Sequence, residues 1–316
     1  MSGKHTERLT ADAAGIARAA AILRGGGLVA VPTETVYGLA ARADSEAAVA
    51  AIYRAKGRPE FNPLIVHVAS LAMARSLADL SRDAERLVER FWPGPLTLVV
   101  PRQGKGVDAA VTAGLPTVAL RMPDHPAMRA LLDTLGLPLA APSANRSGAV
   151  SPTTAEHVAA TLAGRIDAIL DAGPCARGVE STIVALRHGG GWQMLRPGPI
   201  VEAEIAALLG APLAAGAGGV EAPGQLASHY SPGKPVRLGA VAAETGEFLI
   251  GFGTCPGDCN LAPDGDLASA AARLYACLHE AAASPKPRVA VADIPDAGIG
   301  AAINDRLRRA AAPGGF

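Results

Sequence analysis

The chain of 316 residues is long enough for one large domain or two ordinary ones, and its 49% hydrophobic content can fill a core. With aromatics at 3%, that core must be built mostly from small aliphatic side chains. Lys and Arg together number 29, as do Asp and Glu, so no bulk charge draws the protein to nucleic acid or to an anionic membrane, and any polyanion must be held by a local cluster.

The opening residues, MSGKHTERLTADAAG, lack the apolar stretch of a signal peptide. No later run approaches the ~18 uncharged apolar residues of a membrane helix, which reads as a soluble cytoplasmic protein. Ala11 to Leu23 predicts an amphipathic helix ending at Gly25-Gly26-Gly27, followed by a short buried strand from Leu28 to Val31. Ser45 caps a helix reaching Lys56, Leu64 to Val68 is a strand, Ser70 and Ser81 open two helices, and Leu96 to Val100 and Thr117 to Arg121 are strands. A helix near Pro126 to Leu135, a strand at Leu139 to Ala141 and a helix from Thr153 follow. Strands at Ile166 to Leu170, Ser181 to Leu186 and Gln193 to Leu195 continue an alternation that means an α/β domain. Gly210 to Pro235 is too rich in Gly, Pro and Ala for a regular element and too long for an ordinary connection, so it reads as an interdomain linker. Beyond it, VRLGAVAA, FLIGFG and VAVADIP as strands, with helices over Leu267 to Ala283 and Ile303 to Ala311, form a smaller α/β unit. The expected divisions are residues 1–209, 210–235 and 236–316. Cys255, Cys259, Cys277 and His279 are the only set resembling metal ligands, but they show neither CxxC nor HxxxH spacing and read as structural.

Polar residues concentrate where the strands of the first domain end, which is where open α/β sheets place their sites. PTETVYGL, Pro32 to Leu39, sets two threonines, a glutamate and a tyrosine on a turn between Pro32 and Gly38, an arrangement that an ordinary β-turn also permits. KGRPEFNPLIVH, Lys56 to His67, places one of the chain's five lysines two residues before Arg58, with Pro59 blocking the helix. Cations at a helix C-terminus are favoured by the macrodipole alone, worth ~0.3 to 1 kcal/mol, so capping competes with anion binding for this pair. His67 falls in the apolar strand LIVHV, where a polar group needs a partner. APSANRSG, Ala141 to Gly148, offers hydroxyl, amide and guanidinium donors among small residues, as a phosphate nest does. No GxxxxGK[ST] is present, and no GxGxxG joins a strand to a helix.

Taken in order, these segments resemble the YrdC/Sua5 family, whose pattern is KxR followed far downstream by SxN, here Lys56-Gly57-Arg58 and Ser143-Ala144-Asn145. PTETVYGL, NPLIVH, FWPGPLT, APSAN, GVESTI and LRPG fit the same pattern, while SHYSPGKP and the tail IPDAGIGAAINDRLRRAA resemble the long, Sua5-type members, so the likeness spans nearly the whole chain. The resemblance implies a YrdC-like twisted mixed sheet with helices and a smaller Rossmann-like C-terminal α/β domain. It also implies a nucleotidyltransferase, an L-threonylcarbamoyladenylate synthase that forms threonylcarbamoyl-AMP and pyrophosphate from L-threonine, bicarbonate and ATP with Mg²⁺. Its product would pass to a tRNA threonylcarbamoyl transferase complex for N6-threonylcarbamoylation of adenosine 37, with tRNA contact as a further expectation.

Carried over residue by residue, Lys56, Arg58, Asn62, Ser143, Asn145, Ser151 and Arg196 would surround the triphosphate and adenosine, with Thr117 nearby. Thr35, His67, Arg121 and Ser181 would hold threonine, Arg121 pairing its carboxylate, and the backbone at Ala141 would complete that pocket. Tyr230 would reach back over the nucleotide, making the linker a lid that ligand orders. No side chain is marked by spacing as a general base, and Glu34 is a weak candidate. An RNA-binding module of the same fold is the alternative. A carbamoyladenylate enzyme of hydrogenase maturation would need paired CxxC sites, which the sequence lacks.

Overall fold

In the computed structural model, residues 5–312 are described apart from residues 105, 188, 215–219 and 226–227. An edge strand, β1 (Glu7–Thr10), precedes α1 (Ala13–Arg24), which begins where Asp12 Oδ1 accepts the Gly15 amide at 2.8 Å. β2 (Val29–Val31) turns back through residues 32–37 into β3 (Gly38–Arg42), then α2 (Glu46–Lys56) and β4 (Ile65–His67) follow. Helix α2 is capped by Ser45 and stopped by Gly57 at φ 61°, a left-handed conformation that costs glycine nothing. Next come α3 (Leu71–Leu77), α4 (Arg82–Phe91), β5 (Leu96–Pro101), β6 (Thr117–Arg121), α5 (Pro126–Leu135), β7 (Leu139–Ala140) and α6 (Ala155–Leu162). Then β8 (Ala168–Asp171), β9 (Thr182–Leu186), β10 (Trp192–Arg196) and α7 (Glu202–Leu209) complete this part of the chain.

Its strands form one mixed ten-stranded sheet in the order β1-β8-β2-β3-β7-β4-β6-β5-β9-β10. Side chains alternate between its faces. On one face Leu39, Val66, Leu98, Leu120 and Val184 meet the buried sides of α2, α3, α4, α6 and α7. On the other, Val29, Ala40, Leu139 and Leu170 meet α1 and α5, but only across the half built from β1, β8, β2, β3 and β7. Over the remaining half Ile65, Val99, Ala119, Ile183 and Ala185 form a small apolar floor with no described helix packed on it; Ala222 of the linker lies there instead. That helix-free half is where a ligand can reach the sheet.

After a segment with no helix or strand among its described residues come β11 (Val236–Leu238), β12 (Glu247–Gly251), β13 (Cys259–Asn260), α8 (Leu267–Ala283), β14 (Arg288–Val291) and α9 (Gly300–Ala311). The four strands are parallel in the order β11-β14-β12-β13. Only α8 is a helical crossover, so this is a reduced version of the expected Rossmann-like unit. The core of this second sheet is continuous with Val36, Val150, Val179 and Tyr230 of the first part and the linker, so the two sheets share buried surface. No described helix is long and apolar enough to cross a membrane.

Candidate active site

Lys56 is the last residue of α2, and the left-handed Gly57 behind it lets the chain turn while the side chain runs inward. Its Nζ donates to Ser143 O and Asn145 O, both at 2.5 Å, and stands 3.5 Å from Asn145 Oδ1. Burial, and then the charge of Arg58, push its pKa well below the ordinary lysine value. Arg58 Nε donates to Asn62 O at 3.2 Å and Nη2 to Pro63 O at 3.0 Å, and burial brings its pKa down to about 10. Asn62 is buried with no partner for Oδ1 among the described residues. Asn145 is committed to shaping its own loop, donating to Arg146 O and Ala149 O. These cations are held by neutral oxygens, and no described carboxylate pairs with them.

Arg196, at the end of β10, continues the pattern: Nε donates to Ser181 O at 3.0 Å and Nη2 to Ser181 Oγ at 3.1 Å. Ser181 Oγ also lies 2.7 Å from Thr97 Oγ1, so it is fixed by two strands at once. Ser151 Oγ donates at 2.6 Å to Glu180, a buried carboxylate whose part is not legible in GVESTI. Burial alone would raise the pKa of Glu180; the guanidinium groups of Arg306 and Arg196 outweigh it and hold it down at about 2.

The expected threonine end differs. Arg121, at the end of β6, already has an anionic mate: Nη2 donates to Glu34 Oε1 at 2.6 Å, while Glu34 Oε2 accepts the Asp124 amide at 3.1 Å. Arg121, expected to pair the threonine carboxylate, is thus already in a buried ion pair, and Glu34, with both oxygens engaged, is poorly placed as a base. Thr35 Oγ1 lies 2.9 Å from Thr33 Oγ1. His67 pairs in register with Arg121, and burial, then the Arg121 charge, lower its pKa to about 3, so it is a neutral imidazole. The Ala141 amide is spent on Ile65 O at 3.0 Å.

Thr35, Arg58, His67, Arg121, Ala141, Ser143, Ser181, Arg196 and Tyr230 line one pocket at the edge of the helix-free half, with Glu180 among them. Lys56, Asn62, Asn145 and Ser151 are buried but not among its lining residues, and Thr117 does not join it either. It starts β6 on the same face as Ala119 and Arg121, four residues before Arg121, or ~13 Å by strand rise. The linker roofs the pocket: Pro223 O lies 3.4 Å from Arg196 Nη1, and Gly224 packs so closely that a Cβ would sit 2.8 Å from Arg196 Cδ. Tyr230, at φ 65° in a region non-glycine residues seldom adopt, is 1% exposed. At the described C-terminal end of this segment the Ser231 amide donates to Gly148 O at 2.9 Å and the His229 amide to Arg309 O at 3.2 Å. The enclosed space is about 40 Å³, room for a water or two. Among described residues no group of three His, Cys, Asp or Glu could hold a metal, and the pocket carboxylate Glu180 and the Arg121 partner Glu34 are both engaged, so the protein's side chains do not fit a resident Mg²⁺.

A mixed sheet with an uncovered half, a linker as roof and buried cations beneath it defines a small-molecule site for an anionic substrate. Residues 21–198 match a family model described as telomere recombination, covering Sua5, YciO and YrdC proteins, and residues 200–312 match one described as threonylcarbamoyl-AMP synthase, C-terminal domain. The chain belongs to the YrdC/Sua5 family. It is 41% identical to the threonylcarbamoyl-AMP synthase of Bacillus subtilis (strain 168), over 97% of this chain and 95% of that one. It is 38% identical to that of Pyrococcus abyssi (strain GE5 / Orsay), over 92% of each. The crystal structure of P. abyssi Sua5 complexed with L-threonine superposes with a TM-score of 0.89 at 35% identity, over 97% of both chains.

Proposed function

We propose that this chain is an L-threonylcarbamoyladenylate synthase acting on L-threonine, bicarbonate and ATP. The observation that carries this is the buried trio Lys56, Arg58 and Arg196, hydrogen-bonded to uncharged oxygens, beside the compartment of Arg121, His67 and Thr35, in a chain that aligns end to end with such synthases. Burying a cation without an anion is costly, and Lys56 and Arg58 have none beside them, whereas Arg196 shares Glu180 with Arg306. A triphosphate supplies the missing charge. Threonine's neutral amine attacks the bicarbonate carbon, the N–C bond forms as one amine proton and the bicarbonate hydroxyl leave together as water, and the resulting carbamate oxygen attacks the α-phosphorus as pyrophosphate leaves. Charge grows on phosphate oxygens, where fixed cations act most strongly.

ATP enters as its magnesium complex, the ion carried by phosphate oxygens. The triphosphate lies against Lys56, Arg58 and Arg196 with Ser143, Asn145 and Ser151, and the adenosine runs along the apolar floor toward Thr117. In this arrangement the threonine carboxylate shares Arg121 with Glu34. Because the closed space is far smaller than the ~300 to 1,000 Å³ of ordinary ligand sites, the linker must lift to admit ATP and close again over the adenylate. A cytoplasmic protein feeding a tRNA-modifying transferase fits this chemistry. Mass spectrometry of products from ATP, ¹³C-bicarbonate and L-threonine tests it: a labelled threonylcarbamoyl-AMP is expected. Its absence, with thermal stabilisation by RNA and none by ATP and threonine, would replace this reading with the RNA-binding module.

A further inference from the structure

Tyr275 on α8 and Arg306 on α9 belong to the second sheet's domain, yet both are buried against the first. Arg306 is 0% exposed, and its hydrogen bonds out of its own helix go to two places: Nε to Glu180 Oε2 at 3.1 Å and Nη1 to Pro197 O at 2.7 Å. Glu180 directly precedes Ser181, and Pro197 directly follows Arg196, the two residues joined across the pocket wall. Its guanidinium carbon also lies 5.7 Å from the centre of the Tyr230 ring, a cation–π contact in a dry setting. Tyr275 OH donates to the same Glu180 Oε2 at 2.7 Å, and its ring stacks on Tyr230 with centroids 5.5 Å apart. A third contact reaches the same place: His279 on α8 stacks on His157 at 3.8 Å and sets Nε2 3.1 Å from Ser151 O, while Ser151 Oγ is held by Glu180.

These contacts end on Glu180 and Tyr230, which line the pocket, on Ser151, bonded to Glu180, on Pro197, next to Arg196 in the chain, and on His157; none reaches Thr35, His67 or Arg121. A domain docked only for stability would bury apolar surface; this one also spends a guanidinium, a phenol and an imidazole on a single carboxylate and its neighbours. We infer that the C-terminal domain is a positioning element for the nucleotide half of the site, with Arg306 and Tyr275, acting through Glu180, setting the geometry of Ser151, Ser181 and Arg196 and latching Tyr230 in the closed roof. Arg306 is the positioning residue on which the arrangement centres, because it alone touches both pocket-wall segments and the roof.

The inference rests on the proposed synthase for its kinetic consequence but has a second readout that needs no activity. In the full-length Arg306→Ala protein, hydrogen exchange at the His229 and Ser231 amides should quicken about tenfold or more, while exchange in α1 stays as in the wild type. KM for ATP should rise about tenfold, with the threonine dissociation constant within about twofold of wild type. Arg306→Lys, which keeps the charge and loses the two-pronged geometry, should recover only part of the loss. Should Arg306→Ala fail to fold, Tyr275→Phe carries the test, with a smaller shift of the same sign in both readouts. Unchanged linker exchange and unchanged ATP KM in whichever of these variants folds would overturn the inference, as would a parallel loss of threonine and ATP binding. A wild-type protein that makes no adenylate would remove the synthase reading while leaving the exchange result to stand or fall by itself.

Discussion

The two ends of the pocket use the same side-chain chemistry in opposite electrostatic states. At one end Arg121 is neutralised by Glu34 at 2.6 Å; at the other Lys56, Arg58 and Arg196 are buried with carbonyl and hydroxyl oxygens as their hydrogen-bond acceptors. A substrate that brings its own positive charge, as an amino acid does, meets a pair and perturbs it modestly. A polyphosphate would meet Lys56 and Arg58 with no paired carboxylate, and Arg196 partly offset by Glu180. A chain of zero net charge can thus carry a local cationic cluster, which the proposed nucleotide would compensate.

The comparison breaks most visibly at the cationic end. Lys56→Ala and Arg58→Ala should each lower the rate of adenylate formation about 10²- to 10³-fold while the fold persists, since each removes a charged donor from developing phosphate charge. Turnover assays on the folded proteins check this, and wild-type rates in the double variant would refute the assignment of that end.

At the paired end two effects should separate. Arg121→Leu strands Glu34 as a lone buried carboxylate, at a cost of about 3 to 5 kcal/mol in stability, and weakens threonine binding by about 10-fold or more with little change in ATP binding. Adding Glu34→Gln should restore most of the stability and none of the affinity. Calorimetric titration of each ligand against melting curves of the same proteins distinguishes the two, and equal losses for threonine and ATP would erase the distinction between the ends.

Acid sharpens the contrast further. His67 and His229 each have a pKa lowered to about 3, His67 by burial and the Arg121 charge, His229 by burial foremost. Their folded values lie below the unfolded value of ~6.5, so the unfolded chain binds more protons and stability falls as pH drops from about 6.5 toward 3. Each should cost about 2 kcal/mol between pH 7 and 5. Glu180, held at about 2, contributes only as pH falls below ~4.5. Denaturant midpoints measured at pH 7, 5 and 4 should therefore start to fall near pH 6; a loss beginning only near 4.5 would place the sensitivity in the carboxylates. The smallest expected effect lies at the far end of the floor, where Thr117→Val should weaken ATP binding about two- to tenfold, one neutral hydrogen bond's worth, and leave threonine binding unaltered. No change at all would end the adenosine short of Thr117.

Local signals were strong wherever a residue acts on its own backbone. Ser45, Ser70 and Ser81 each accept an amide at the start of a helix, and Gly57 stops α2, so these elements are readable from a few letters. The α/β class, the linker without regular elements and the motifs bearing Lys56, Arg58, Ser143 and Arg121 follow from the amino-acid order alone. β3, in the Ala- and Gly-rich GLAAR, was not readable, because it is a strand by virtue of pairing with β2 and β7 rather than by propensity. The edge strand β1 and the two-residue β13 lack a local pattern in the same way, whereas α7 has one, with Glu202 and Glu204 in its first turn and Gly210 at its end. What tertiary structure alone decided is which charges meet. Glu34 and Arg121 are 87 positions apart, and Glu180 and Arg306 126 apart, and no periodicity links either pair. Coulomb attraction in a dry interior acts on distance in space, and only the packing of a helix-free half-sheet, its roof and a second domain makes those distances short.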